Sequence, residues 1–332
     1  MTNRLPTYSF KAGVIGTGYI GMQHLEALKS IVADTVVCNA DEAVGSAAAE
    51  RFGCRFYRDY EEMLCKEKPD FVSICVPTHL HAPIANAALE NGINVLCEKP
   101  FTTSLADAYA LVEKAADKHL TLMVAHCVRF SRPYAYLKNC LDDKRFGKLI
   151  SLELFRHGPK PGWSTGGWLF DLEKSGGVTR DAHIHDTDIL YYLLGKPAGV
   201  YTAGSAFCCT SLYDYGADLL VSAAASWKNA SSYPFSPGYE AAFEKAVLRL
   251  RENTLLLFTN DGVAANPHEK EDFPLYMQSG NLIANEIRYF CHCLENGVPP
   301  ARCLPDEVCA SLAVSFSESE SMKAHRYIKI SR

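Results

Sequence analysis

Lys11-Ala12-Gly13-Val14-Ile15-Gly16-Thr17-Gly18-Tyr19-Ile20-Gly21 decides the fold. A short apolar run stops at a glycine cluster that fits G-x-G-x-x-G. From Met22 to Ser30 the residues favour helix. Strand, glycine turn and helix in this order form the context in which the motif cradles a dinucleotide. Gly16 permits the tight turn, Gly18 lets the backbone approach a pyrophosphate, and Gly21 lets helix and strand pack closely. Tyr19 and Ile20 lie within the same turn and are expected cofactor contacts. The helix start would turn free N–H groups toward phosphates. The plain alternative is a glycine-rich turn in another doubly wound protein.

Outward from this loop, strand and helix alternate. Strand cores are read at Val36–Cys38, Phe71–Val76, Ile93–Cys97 and Thr121–Ala125. Helices are read at Glu42–Arg51, Pro83–Asn91 and Ser104–Lys118, the last with a serine N-cap. Repeated units of this length predict a parallel, doubly wound sheet with right-handed crossovers. After about residue 127 the pattern changes. Arg132–Leu141 reads as one more helix. Strands at Leu149–Phe155, Gly199–Phe207, Leu219–Ser226 and within Tyr239–Phe258 then follow with little helix between them, which favours a mostly antiparallel sheet. Helices are expected at Thr187–Leu194, Leu282–Glu295 and Asp306–Lys323, with a short strand at Tyr327–Ile330. Glu240–Glu252 suits helix or strand equally by composition.

Length and composition bound the rest. A chain of 332 residues makes one large or two ordinary domains, and 48% apolar with 21% charged residues reads as soluble and globular. A net charge of -5 gives no reason to expect nucleic acid. The 13 cysteines are scattered without C-x-x-C, so reduced, mostly structural thiols in a reducing cytoplasm are expected. The first ten residues lack the apolar run of a signal peptide, and no stretch reaches the roughly 20 apolar residues of a membrane helix.

Four further stretches carry chemistry. The end of the second strand reads Val37-Cys38-Asn39-Ala40-Asp41, with Asn39 where an acid usually takes the adenosine ribose. Asparagine can bond a ribose hydroxyl without repelling a 2′-phosphate, and no base follows at once. NAD is favoured and NADP stays open. Val76-Pro77-Thr78-His79-Leu80-His81 follows the third strand, where a loop would lie over the cofactor. Val76, Pro77, Thr78 and His81 are expected contacts, although His81 could equally be an ordinary histidine at a helix start. Glu98-Lys99-Pro100 ends the next strand, beside the expected cofactor. Proline would hold the backbone that carries Lys99, and a cis bond there is not readable from sequence.

The fourth stretch is Ser175-Gly176-Gly177-Val178-Thr179-Arg180-Asp181-Ala182-His183-Ile184-His185-Asp186-Thr187-Asp188. His183-x-His185 would suit a strand-borne metal pair, but no third ligand other than carboxylates is at hand, and no metal is expected. On a helical reading Asp181 and His185 stand at i and i+4 and share a face, with His183 pointing elsewhere. His185 beside a carboxylate suits a proton shuttle near neutral pH. Helix capping by Asp186 is the structural alternative.

In order, G-T-G-Y-I-G, V-P-T-H-L-H, C-E-K-P, V-A-H-C-V-R-F, S-G-G-V-T-R-D-A-H-I-H-D-T-D-I-L and E-I-R-Y-F-C-H-C-L-E-N-G resemble the glucose–fructose oxidoreductase, inositol dehydrogenase and rhizopine-catabolism (Gfo/Idh/MocA) family over nearly the whole chain. The resemblance implies an N-terminal Rossmann domain, 1–127, and a C-terminal α/β domain, 128–332, with a large, open, mostly antiparallel sheet for substrate and oligomerisation. It implies strand for Glu240–Leu257 and a last helix, about 305–323, packed back toward the first domain. It makes Lys99, Asp181 and His185 the catalytic residues. Lys99 would bridge substrate hydroxyl and nicotinamide ribose, His185 would be the acid/base, and Asp181 would position substrate. Glu98 and Lys99 join the cofactor contacts. His126 and Arg129 would border the substrate pocket, and Trp163 and Trp168 would wall it. Two departures are Asn39, for the usual acid, and His79, where asparagine is frequent.

The function implied is NAD(P)-dependent oxidation of a secondary hydroxyl of a sugar, inositol or glycoside, or the reverse reduction. A lyase or glycosidase using transient oxidation is the second reading, and a non-catalytic dinucleotide sensor the third. The expected partners are a small polyol or sugar and further copies of the chain in a homodimer or homotetramer, with no membrane.

Overall fold

The computed structural model describes residues 5–228 and 230–330. The N-terminal stretch read for a leader therefore begins outside the described residues. The chain forms two compact units. The first holds residues up to Phe130, Trp163–Trp168 and Pro274–Cys309. The second holds Ser131–Gly162, Leu169–Phe273 and the residues from Ala310 onward.

In the first unit β1 (Tyr8–Ile15), α1 (Tyr19–Leu28), β2 (Val32–Cys38), α2 (Glu42–Phe52), β3 (Arg55–Tyr57), α3 (Tyr60–Glu67), β4 (Phe71–Ile74), α4 (His81–Glu90), β5 (Asn94–Glu98), α5 (Leu105–Asp117) and β6 (Leu122–Ala125) alternate. The sheet order is β3-β2-β1-β4-β5-β6 with every pairing parallel. That is the Rossmann order, in which ligands lie beyond the carboxyl ends of the strands. Local chemistry sets the helix ends. Asp41 accepts the Ala43 and Val44 N–H groups at the start of α2, which stops at Gly53 in the left-handed region. Ser104 caps α5, as its sequence predicts.

Sequence reasoning left β3 and α3 unassigned. β3 is a three-residue edge strand without a buried residue, and α3 buries only Met63 and Leu64. Neither carries enough apolar periodicity to stand out.

The second unit contains α6 (Arg132–Asp142), β7 (Leu149–Pro159), α7 (Leu172–Ser175), α8 (Gly177–Asp181), α9 (Ile184–Leu194), β8 (Gly199–Ser205), β9 (Cys208–Asp214), β10 (Leu220–Lys228), β11 (Ser236–Phe243), β12 (Val247–Arg251), β13 (Thr254–Thr259) and β14 (Gly262–Ala265). Its nine-stranded sheet runs β14-β13-β12-β11-β7-β10-β9-β8-β15, where β15 is Ile328–Lys329. Only β7 and β10 pair in parallel. The stretch that composition left ambiguous is strand: Tyr239 pairs with Leu250 and buried Ala241 with buried Leu248. The strand expected to run to Phe207 instead ends at Ser205, and the chain reverses into β9, which the sequence reading missed.

α10 (Leu282–Asn296) belongs to the first unit, and α11 (Pro305–Ala324) begins there and continues in the second. A single boundary at 127/128 therefore does not describe the units. The reason lies in α10, whose Ile283, Ile287 and Phe290 share one apolar core with Leu25, Leu28, Phe71 and Met123. The Phe290 and Phe71 rings meet edge to face at 5.2 Å. Among the described residues no helix is long and apolar enough to cross a membrane.

Candidate active site

The glycine loop joins β1 to α1. Gly16 has φ 90°, and a Cβ there would lie 2.7 Å from the Cys75 carbonyl oxygen. A Cβ on Gly21 would lie 1.9 Å from the Gly16 carbonyl oxygen. A Cβ on Gly18 would meet nothing within 4 Å. Two glycines are thus required by protein backbone, and the third faces open space. Gly18 is also the N-cap of α1, and no side chain caps it. Uncapped N–H groups at the positive end of a helix, with room for a close approach, fit a pyrophosphate. Ile20 is half-buried and Tyr19 is 55% exposed.

The Asn39 amide donates to Thr17 Oγ1 at 2.7 Å, and its oxygen accepts the Asp41 N–H at 2.9 Å. Asn39 therefore braces the glycine loop, and a ribose contact would compete with these bonds. Arg58 Nε, arriving through the turn after β3, lies 3.4 Å from the Ala40 carbonyl. The linear sequence had shown no base at this edge.

In the loop after β4, Thr78 is buried while Val76 and Pro77 are half-buried. His81 is buried, with Nε2 2.9 Å from the Val76 carbonyl and Nδ1 3.0 Å from that of Pro100. Burial holds its pKa below the usual imidazole value, against the pull of those backbone bonds. Its ring ties the Val76 loop to the Pro100 turn, which corrects the expectation of a cofactor contact from this side chain. Lys99 is half-buried and a cis peptide bond links it to Pro100. Its N–H donates to Glu98 Oε2 at 3.1 Å. Glu98 is buried with Oε1 3.0 Å from His24 Nε2, so this carboxylate too is held by the protein rather than presented to a cofactor.

In the second unit the glycine pair Gly176-Gly177, both at positive φ, admits the chain into α8. Asp181 is the last residue of α8 and His185 lies in α9. The expected single helix is broken between them: the His183 N–H reaches back five residues to the Val178 carbonyl. The i, i+4 argument for a shared face therefore does not hold as made. Both residues are half-buried.

Their neighbours serve the core. His183 is fully buried, with Nε2 3.0 Å from Ser211 Oγ and 3.1 Å from Tyr213 Oη, and burial lowers its pKa to about 3. Asp186 takes the Arg156 guanidinium at 2.8 and 3.1 Å. It does not cap the helix. Asp188 accepts from Ser311 Oγ at 3.0 Å. Glu318 accepts from Thr187 and Tyr213 hydroxyls, each at 2.8 Å, and burial raises its pKa to about 8. Arg156 and Glu318 went unremarked in the sequence, since Arg156 follows the strand run Leu152–Phe155 as a single charge and Glu318 sits in a polar Ser-Glu-Ser-Glu run that ordinarily faces water.

The remaining expectations divide. Arg129 is fully buried and donates to the Arg302 carbonyl at 2.8 Å and to Glu307 at 3.1 Å, so it braces the first unit rather than bordering a pocket. His126 is buried at the end of β6. Trp163 stacks on Tyr19 at 5.3 Å, which occupies one of its faces beside the glycine loop. Trp168 is half-buried in the same segment of the first unit.

Residues 10–126 match the profile of the Gfo/Idh/MocA oxidoreductase family, NAD-binding Rossmann fold, and residues 134–249 that of the Gfo/Idh/MocA C-terminal domain. Together they span well over half of the chain. The inositol 2-dehydrogenase of Rhizobium meliloti (strain 1021) is 27% identical over 96% of this chain and 98% of its own. The 2,7-anhydro-N-acetylneuraminate hydratase of Mediterraneibacter gnavus is 30% identical over 55% of this chain, spanning 48% of its own length. A levoglucosan dehydrogenase solved with NADH and levoglucosan shares the fold, with a TM-score of 0.85 at 19% identity over 98% of this chain and all of that one.

Proposed function

The chain belongs to the Gfo/Idh/MocA family of NAD-binding oxidoreductases, and from that premise we propose that it is a dehydrogenase of a secondary hydroxyl on a sugar, inositol or glycoside, acting in the cytoplasm as a homodimer or homotetramer. The observation that carries the reading is the open, uncapped helix start at Gly18 between two glycines that backbone contacts require. It supports a nucleotide held by its pyrophosphate. Inositol 2-dehydrogenase, similar over almost the whole chain, supports the substrate class.

When bound, the nicotinamide supplies a hydride acceptor at C4. The protein's part is proton transfer and charge. His185 takes the hydroxyl proton as a neutral imidazole acting as general base. The Lys99 ammonium lowers the cost of a developing alkoxide. Asp181 orients substrate, and His126 and Trp168 stay assigned to its surroundings. NAD is the favoured cofactor. Asn39 bears no charge to repel a 2′-phosphate and Arg58 stands near, so the preference is moderate.

Removing a positioned acid/base costs about 10²–10⁴-fold in rate. His185→Ala and Lys99→Met should lose turnover on that scale and still bind NADH by fluorescence titration. Near-normal single-turnover rates in both would sink the assignment. The hydratase relative favours a second reading, in which oxidation is transient. Incubation with inositols, hexoses, glycosides and anhydro-sugars separates the two. Stoichiometric NADH formation marks the dehydrogenase, and product without net NADH marks the hydratase or lyase.

A further inference from the structure

Next to Lys99, within the first unit, lie three ionisable side chains that the proposed reaction does not use. His24 of α1 is fully buried, with Nδ1 2.6 Å from Ser73 Oγ and Nε2 3.0 Å from Glu98 Oε1. Glu98 Oε2 accepts the Lys99 N–H. Glu286 of α10 is also fully buried. One oxygen of Glu286, one of Glu98 and a ring nitrogen of His24 lie within 4.8 Å of one another. Neither Glu286 oxygen has a hydrogen-bond partner among the described residues.

Two ionised carboxylates this close in a dry interior repel, and an unpartnered buried charge is costly. His24, a cation in contact with the cluster, is already engaged by Glu98. We propose that Glu98 and Glu286 carry a single proton between them, resident on Glu286, and that the His24–Glu98 charge pair preserved in this way positions the backbone of Lys99. For its effect on turnover the proposal rests on the catalytic reading of Lys99, while the proton itself does not. A metal ion on the same three side chains would require the His24–Glu98 hydrogen bond to break. A proton requires no movement.

The electrostatics agree. The groups facing the cluster are His24 from α1, Cys75 after β4, His81 at the start of α4, Glu98 and Lys99 at the end of β5, and Glu286 from α10. Burial lifts Glu286 well above the usual carboxyl range, the Glu98 charge lifts it further, and His24 offsets only part. Burial works against a charged Glu98, but the His24 bond and charge, helped by Lys99, outweigh it and leave Glu98 below that range. Burial likewise opposes a charged His24, and Cys75 and Glu98 overcome it.

The sign of the pH effect follows. A carboxyl with a raised folded-state pKa holds its proton in the folded protein after the unfolded chain has released it near pH 4.3. Stability therefore falls as pH rises from there toward the folded pKa. Glu286→Gln, a neutral isostere, escapes that loss. It should melt about 2 °C or more above the wild type at neutral pH, with the gap shrinking in mild acid. The difference infrared spectrum, wild type minus Glu286→Gln at neutral pH, should show a protonated carboxyl band. The variant should also lose an alkaline fall in kcat that ionisation of Glu286 gives the wild type. Glu98→Ala should cost kcat on the order of 10²-fold, by displacing Lys99, and leave NADH affinity near that of the wild type.

A Glu286→Gln protein that melts below the wild type at neutral pH, or shows no carboxyl band, overturns the proposal. So does a stoichiometric metal ion in the purified protein that the variant lacks. If Lys99→Met keeps normal turnover, the catalytic reading fails, and the band and the melting order still decide where the proton is.

Discussion

The two sheets solve burial in opposite ways. In the first unit β4 and β6 are buried at every residue, because helices cover both faces of a parallel sheet. In the second, β9 alternates strictly, exposing Cys208, Thr210, Leu212 and Asp214 and burying Cys209, Ser211 and Tyr213. One face is covered and the other open. The covered face is also unusually polar. Ser211, Tyr213 and Arg156 point from its strands at His183, Asp186 and Glu318. The first unit keeps its strands apolar and holds buried charge in a few places, the His24–Glu98–Glu286 cluster beside Lys99 and Arg129 with Glu307 among them, leaving the strand-end loops to present backbone. Backbone geometry in the first unit and side-chain pairing in the second are therefore where substitutions should act most strongly.

The largest expected effect is on the glycine loop. Gly21→Ala would place a Cβ 1.9 Å from the Gly16 carbonyl, a backbone atom that cannot swing aside. Overpacking of this kind costs about 1–3 kcal/mol or more, and here it also displaces the turn. Loss of measurable NADH binding is expected, with a lowered Tm. Gly18→Ala meets no protein atom, so its Tm should stay near the wild type while NADH affinity falls, because the new methyl occupies the cofactor's space. Equal behaviour of the two variants in paired melting and fluorescence titrations would break the distinction between a structural and a functional glycine.

The fold was legible where burial is continuous or caps are strong. Ser104, Asp41 and Gly53 mark helix ends that any reading would find, and the glycine loop placed α1 to within three residues. β3, α3 and β9 were not legible, being short, half-polar or folded back after a turn. The candidate site was legible as residue types but less so as geometry. The crowd at Asp181–Asp188 looked like one functional cluster. The structure gives His183, Asp186 and Asp188 to the core through Ser211, Arg156 and Ser311, partners 28, 30 and 123 residues away along the chain. Arg129 failed as a pocket residue for the same reason, since its partners Arg302 and Glu307 lie far along the chain. Glu286 opens one of the stretches that carry the family resemblance, yet nothing singled it out as buried, because a lone glutamate on an amphipathic helix ordinarily faces water.

Next in size is the Arg156–Asp186 pair in the second unit, with Asp186 fully buried and Arg156 nearly so. Asp186→Ala would leave the guanidinium uncompensated, and breaking a buried pair from one side costs about 3–5 kcal/mol. Chemical denaturation should show the second unit unfolding at much lower denaturant. Replacing both, as Arg156→Met with Asp186→Leu, should recover much of that loss, because the cost lies in the orphaned charge. A double variant as unstable as the single one would show that the pair specifies the covered face in some further way.

The smallest effect on folding is expected on the open face. There Tyr201 pairs with Leu212, and Leu212 with Ser222, across three strands, and both Tyr201 and Leu212 are exposed. Exposed substitutions away from caps and charges usually stay within about 0.5 kcal/mol. Leu212→Glu should therefore leave the melting of each unit and the affinity for NADH nearly unchanged. Its effect should appear in assembly instead. Apolar side chains repeated across an uncovered sheet mark an interface, and a closed homo-oligomer would cover this one. Sedimentation velocity at micromolar concentration should find the wild type as a dimer or tetramer and Leu212→Glu shifted toward monomer. A wild type that sediments as a monomer would show that the open face meets solvent, and the contrast between the two sheets would then be one of exposure alone. A variant that stays assembled would move the interface to another surface of the protein.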